Sequence, residues 1–317
     1  MPPKGQVIVS SLFLFLMVAQ TCAEKGAPFL SDERINRINS AQSSWKAGRN
    51  YHPNSEENLI KLLGELDPKN LHETDKLPLK TYDPAWPSDK KIPKMFDARK
   101  KWDQGYCGSC WAVSSSSAAS DRLCISSKGK FKGLLSAQHV AFCCHKCGFG
   151  CDGGYTAMAW AFLKKGVVTG GRFNSSKGCQ PYSLQPFLYN QMTFIFLSSR
   201  VCHGNLNFLE IKTNYTLPMD VKSIQKDIMT YGPVTFSFTV YADFINYKSG
   251  VYQNTTSQTL GRHAVRALGW GEENGKPYWL VANSWNSYWG DKGLFKILRG
   301  SNNCGIEASA LGGVPRK

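Results

Sequence analysis

The chain has 317 residues, 42% of them hydrophobic, which is enough for a sizeable core in one or two domains. Lys and Arg number 38 against 23 Asp and Glu, a net charge of +15. These basic residues are scattered, with no block of five or six like charges and no basic–aromatic RNA motif, so no nucleic-acid partner is expected.

Lys4 precedes an apolar run from Val7 to Ala19, followed by Thr21-Cys22-Ala23 with small residues where a signal peptidase reads. A bilayer span takes about 20 residues and this run is shorter, so residues 1–23 read as a signal peptide. No second long apolar stretch follows, and no membrane span is expected in the mature form. Eleven cysteines fit an oxidising route, to a lysosome or to secretion into an extracellular or digestive lumen. Asn174, Asn214 and Asn254 head three glycosylation sequons compatible with that route.

Residues 24–91 are polar and cysteine-free. Ser31-Asp32-Glu33 is a helix start, and Ile35, Ile38 and Trp45 share one face of a helix that ends before Gly48. Leu77–Lys94, rich in Pro, Lys and Asp, reads as an exposed, cleavable linker. From Ile92 the character changes. A helix is predicted from about Ser109 to Cys124 and another over Tyr155–Leu163. Strands are predicted at Val234–Val240, His263–Leu268 and Tyr278–Ala282. Helices first and strands later give an α+β fold of two unlike halves with a cleft between them.

The most specific segment is Gln104-Gly105-Tyr106-Cys107-Gly108-Ser109-Cys110-Trp111-Ala112. A thiol is a useful nucleophile as its thiolate, and unsatisfied N–H groups at a helix N-terminus lower its pKa. Gln104 is placed to donate an amide N–H to a developing oxyanion beside the Cys110 N–H. His263 opens a strand-like run, and Asn283 follows another in Asn283-Ser284-Trp285. Cysteine, histidine and asparagine in this order supply nucleophile, acid–base and orienting group.

From Ile92 onward the chain resembles the papain family, specifically its cathepsin B branch. Phe96-Asp97-Ala98-Arg99, Asp103 to Ala112, Cys151-Asp152-Gly153-Gly154-Tyr155, Tyr247 to Tyr252, His263 to Arg266 and Pro277 to Gly300 carry the resemblance. Residues 24–91, including Trp45-Lys46-Ala47-Gly48, resemble the family's short inhibitory propeptide. The resemblance implies a papain-like two-domain fold, a helical left domain and a β-barrel-like right domain flanking the cleft. It implies a cysteine-type endopeptidase made as a zymogen, acting on peptides and proteins, held by its own propeptide and bound by cystatin-type inhibitors. No cofactor or metal is implied. Cys110 would be nucleophile, His263 general base and acid, Asn283 the orienting residue and Gln104 the oxyanion donor. Gly153 and Gly154 would bind substrate backbone, and Trp285 would shield the His–Asn bond. Disulfides Cys107–Cys151 and Cys144–Cys147 follow by the same resemblance.

The pattern departs from the family in four places. About ten residues are missing between Trp102 and Asp103. The occluding loop with its paired histidines is replaced by the histidine-free Pro186–Val201. Arg262 stands where glycine precedes the histidine, its side chain either crowding the cleft wall or pointing into solvent, and Ser309 replaces the acidic floor of the S2 pocket. A neutral S2 predicts apolar P2 residues over Arg. Two rival readings remain: a zinc site or redox pair built from Cys107-x-x-Cys110 and Cys144-x-x-Cys147, and a catalytically weakened papain-fold protein that binds peptides or a partner.

Overall fold

The computed structural model describes residues 28–52, 55–97, 107–184 and 208–316. The signal-peptide region, Gln104, Cys202 and the Pro186–Val201 segment lie outside these residues.

The first helix, Asp32–Ala41, begins where the sequence places it. The Ser31 hydroxyl accepts the Arg34 N–H at 3.3 Å, with Asp32 and Glu33 in the first turn. Ile35 and Ile38 are buried, but Trp45 does not extend their stripe. The helix stops at Ala41 because Gln42 turns extended and its side chain clamps the Trp45 N–H and carbonyl, at 3.0 and 2.8 Å. Trp45 then lies on strand β1 (Trp45–Ala47), its indole donating to the Gln253 carbonyl at 3.0 Å. A five-residue helix, Glu56–Ile60, follows.

Leu77–Lys94 is docked along the body of the protein. The Lys80 N–H donates to the Thr216 carbonyl at 2.9 Å. Its ammonium lies 3.9 Å from the Tyr215 ring centroid and 4.5 Å from that of Tyr231, and 2.5 Å from the Asp83 carboxylate. Asp89 meets Lys222 at 3.0 Å and Lys226 at 2.5 Å. Lys80, Asp83 and Asp89, which mark a linker by composition, here find partners, although Leu79 and Tyr82 point outward.

After β2 (Phe96–Asp97) comes the helix Cys110–Ser126. Its run of serines is compatible with a buried helix because the hydroxyls return to their own helix: Ser115, Ser116 and Ser120 donate to carbonyls one turn back at 2.6–2.8 Å. Around it pack β3 (Leu134–Leu135), the helices Ala137–Cys143 and Thr156–Lys165, and β4 (Thr169–Gly170). Trp111, Leu123, Val140, Trp160 and Leu163 fill this helical half's own core.

The second half holds β5 (Ile211–Thr216), the helix Val221–Tyr231, β6 (Val234–Tyr241), β7 (Tyr247–Tyr252), β8 (Thr259–Glu273), β9 (Lys276–Ala282), β10 (Leu294–Leu298) and β11 (Leu311–Pro315). The sheet runs β1-β7-β10-β9-β8-β6-β11-β5, with β2 on β8, an open path rather than a closed ring among the described residues. Phe236, Phe238, Phe244, Trp279, Trp285 and Phe295 form its core, which also takes Leu30, Ile35, Ile38 and Trp45 from the N-terminal segment. That segment therefore folds as part of the second half, burying apolar side chains worth about 1.5–3 kcal/mol each. Two buried ion pairs cross from the helical half: Asp121–Arg266 at 2.7 Å and Arg122–Asp227 at 2.6 Å.

Candidate active site

Cys110 opens its helix, and His263 lies on β8 directly before Ala264, whose N–H donates to the Cys110 sulfur at 3.4 Å. The Cys110 sulfur thus reaches the residue next to His263 at the junction of the halves, and both predicted reactive side chains are fully buried. The helix carries no side-chain cap, since the Ser109 hydroxyl is engaged at 2.5 Å with the Tyr182 hydroxyl. Its first-turn N–H groups remain directed at the sulfur end.

His263 Nε2 lies 2.8 Å from Asn283 Oδ1. That oxygen also accepts the Ser284 N–H at 2.8 Å, which fixes the orientation of the amide. An acceptor opposite Nε2 holds the proton there, so Nδ1 keeps its lone pair; Nδ1 has no hydrogen-bond partner among the described residues. Trp285, fully buried, covers the pair with its ring centroid 4.8 Å from the imidazole. Of the three residues picked from sequence, His263 and Asn283 are brought into contact, and Cys110 reaches the backbone beside His263. Gln104 lies outside the described residues.

The glycine walls have geometric reasons. Gly153 has φ +108°, and a Cβ on Gly154 would stand 2.5 Å from the Trp111 ring. The Cys107–Cys151 disulfide ties this loop to the start of the helix, where the Gly108 N–H donates to the Cys151 carbonyl at 3.0 Å. Cys144 pairs with Cys147. Both implied disulfides are present, and they consume three of the four thiols that a zinc site would need. Cys179 is also disulfide-bonded, while Cys143 and Cys304 are thiols.

That the chain after the first helix covers the cleft is expected from sequence, but which of its residues thread the site is not. Leu63-Gly64-Glu65-Leu66 runs through it. The Gly154 N–H donates to the Gly64 carbonyl and the Leu66 N–H to the Gly154 carbonyl, both at 2.9 Å, and the Glu65 N–H reaches the Arg262 carbonyl at 3.3 Å. Gly64 presents its N–H to the Cys110 sulfur at 3.3 Å. A donor rather than an electrophilic carbonyl carbon faces the nucleophile, so the segment occupies the site without being poised for attack. The only sequence signal for it is a glycine directly after an apolar turn.

Glu65 is 7% exposed and accepts from the Thr156 hydroxyl at 2.8 Å and the Thr156 N–H at 3.4 Å. Burial pushes its carboxyl up to about 7, against the weaker lowering effects of Thr156, Arg262 and Ser237. Ser309, the expected S2 floor, bonds to Ser237 beside this side chain. Burial, aided by the Glu65 charge, pushes the Cys110 thiol up to about 12, and burial lowers His263 to about 4 despite its Asn283 bond. With the cleft covered, the pair rests as neutral thiol and neutral imidazole.

A family model described as papain family cysteine protease matches residues 92–314, and one for the peptidase family C1 propeptide matches residues 30–68. The chain belongs to the papain family. Among papain-family relatives, cathepsin B-like cysteine proteinase 5 of Caenorhabditis elegans is 40% identical over 96% of this chain and 97% of that one. A cathepsin B-like cysteine proteinase of Schistosoma japonicum is 37% identical over 98% of each. The solved structure of proCathepsin B S9 from Trypanosoma congolense superposes with a TM-score of 0.76, at 31% identity over 92% of this chain and 100% of that one. The protein is a cathepsin B-like cysteine peptidase that carries a propeptide. It has the α+β papain fold expected from sequence, and no described helix is long and apolar enough to cross a membrane.

Proposed function

We propose that the protein is made as a zymogen and hydrolyses internal peptide bonds through Cys110, His263 and Asn283. The observation that carries this reading is the oriented His263–Asn283 bond, which leaves Nδ1 unpartnered on the residue next to Ala264, whose N–H meets the Cys110 sulfur at a helix N-terminus. When the cleft opens, water returns to Cys110 and His263 and the burial that holds both neutral is relieved, so the proton moves from sulfur to Nδ1. The thiolate adds to the peptide carbonyl carbon, with Gln104 and the Cys110 N–H as donors to the oxyanion. The C–N bond breaks as His263 protonates the leaving amine. Water, deprotonated by His263, then cleaves the thioester and releases the acid.

Gly153 and Gly154 hold substrate backbone, Trp285 keeps water from the His–Asn bond, and Ser309 leaves S2 without a carboxylate to pair with Arg. Endopeptidase action is supported by the absence of a His-His pair in the sequence: His139 packs on Phe162 and Phe208, and His145 lies in the Cys144–Cys147 loop. Residues 1–23 direct the chain to the secretory route, 24–91 form the propeptide, and the peptidase works in a lysosome or a digestive or extracellular lumen, where cystatin-type inhibitors compete for the cleft. Of the three sequons, Asn174 is exposed, while Asn214 lies on β5 and Asn254 bonds to Thr256, so a glycan is expected first at Asn174.

Processed protein should hydrolyse an internal bond of a blocked peptide, and Cys110→Ala should abolish this. Processed wild type that binds peptides without cleaving them would favour the weakened, peptide-binding reading that Arg262 motivates.

A further inference from the structure

We propose that the pocket beneath Gly154, built from Thr156, Ser237 and Ser309 and edged by Arg262, selects substrates with a glutamyl or glutaminyl side chain at P2. The proposal rests on the peptidase reading and names its substrate class.

The pocket is already occupied in the structure by the side chain it would take. Glu65 is held by its neighbours' main-chain bonds to Gly154, the residue that binds substrate backbone, and its side chain is carried from there into the pocket. Its Oε1 receives two donors from Thr156, at the start of the helix Thr156–Lys165. The Ser237 hydroxyl, on β6, stands 3.5 Å from the Thr156 hydroxyl, and Ser309 closes the far side through Ser237. Oε2 is buried and has no hydrogen-bond partner among the described residues.

This is a surface of hydroxyls, not the apolar wall expected from a neutral S2. An apolar P2 side chain would leave the Thr156 donors unsatisfied, and a guanidinium would meet Arg262 with no carboxylate to offset it. A carboxamide or protonated carboxyl has the length of Glu65, an acceptor for Thr156 and a donor for the hydroxyls beyond. The charged groups that face the pocket are few: Arg262 from β8 is felt by the Glu65 carboxyl, the Cys110 thiol lies on the helix side, and the rest is neutral. Arg262 lowers the Glu65 carboxyl less than burial raises it, so the uncharged acid is the form the pocket holds best. A glutamyl substrate should therefore gain on acidification, whereas a glutaminyl one should not.

The test uses processed enzyme and fluorogenic dipeptide amides with Arg at P1 and Gln, Glu, Phe or Arg at P2, at pH 5 and pH 7.5. The expected result is kcat/KM for Gln at least equal to Phe and about tenfold above Arg, with Glu approaching Gln at pH 5 and falling behind it at pH 7.5. Thr156→Val should shift the Gln-to-Phe ratio about tenfold towards Phe. Phe exceeding both Gln and Glu tenfold at pH 5, or a Thr156→Val ratio equal to wild type, would overturn the proposal while leaving a working peptidase. Failure to cleave any of the four, with no covalent labelling of Cys110, would instead overturn the peptidase reading on which it rests.

Discussion

Gly64 donates its backbone N–H to the sulfur of Cys110 at 3.3 Å, and no other residue type fits where it stands. A Cβ at Gly64 would lie 1.7 Å from the Gly108 carbonyl oxygen, a backbone atom pinned beside the Cys107–Cys151 disulfide. The closeness of propeptide and nucleophile thus depends on a missing methyl group.

Gly64→Ala should therefore lift the clasp without unfolding the propeptide, whose apolar anchors Ile35, Ile38 and Trp45 sit elsewhere in the core. A synthetic propeptide spanning residues 24–91 should inhibit processed enzyme, and the Gly64→Ala version should have an inhibition constant raised about tenfold or more, roughly 1.4 kcal/mol. Equal inhibition by the two peptides would place the clasp elsewhere.

The pH dependence of that inhibition has two sides. Glu65 is raised from 4.5 to about 7 by docking, so its contribution is fully present below pH 4.5 and is lost as pH rises through 7. Asp83 and Asp89 are lowered, Asp83 by bonds to Lys80 and Tyr231 that outweigh its burial, Asp89 by Lys226 and Lys222. Their contribution is present above pH 3.8 and fades as pH falls through their docked values. The propeptide should bind best at about pH 4 to 4.5, weaken progressively as pH rises to about 7, and weaken again below pH 3.8. Protonating solvent-exposed, ion-paired carboxylates of residues 24–91 loosens the segment; Glu65 reverses that sign on the neutral side. Glu65→Gln should flatten the rise between pH 5 and 8, measured as inhibition constants. A neutral limb that survives in Glu65→Gln would assign it to another group.

Asn283 acts through His263 and is a positioning residue. Asn283→Ala frees the ring and should lower kcat about a hundredfold, the lower range of acid–base contributions. A pH–rate profile with a displaced acid limb would accompany this, because the Asn283 bond raises the His263 pKa. Loss of rate with an unmoved limb would mean that Asn283 only supports the local fold.

Arg262 pairs with Thr239 of β6 across the sheet, is half-buried and is felt by the Glu65 carboxyl. Arg262→Gly opens the cleft wall and should raise kcat/KM for neutral P2 substrates about tenfold, or about 1.4 kcal/mol of transition-state stabilisation. The gain for a glutamyl substrate at pH 7 should be smaller, since the attracting charge is gone. Equal kinetics for Arg262→Gly and wild type across both substrates would remove Arg262 from the cleft.

Much of this site and fold is legible in the amino-acid sequence. Cys110, His263 and Asn283 stand out because each lies in an extended motif at an element boundary. The helix Cys110–Ser126 and strands β6, β8 and β9 follow from local periodicity. Trp45 misleads because a helical stripe looks continuous until a side chain such as Gln42 ends the helix. The docking of Lys80, Asp83 and Asp89 is hidden because their partners, including Asp227, Lys222 and Lys226, lie far along the chain. Gly64 and Glu65 are invisible for the same reason. Their meaning exists only against Gly108, Gly154 and Thr156.

The central claim is that Cys110 is a nucleophile kept silent by residues 63–66. Its most direct test is to treat precursor and processed protein with an epoxysuccinyl thiol reagent and read the modified peptide by mass spectrometry. The account predicts no adduct on the precursor at neutral pH and a stoichiometric adduct on Cys110 after processing. Labelling of Cys110 at equal rates in both forms would contradict the clasp, and no labelling of the processed form would contradict the nucleophile.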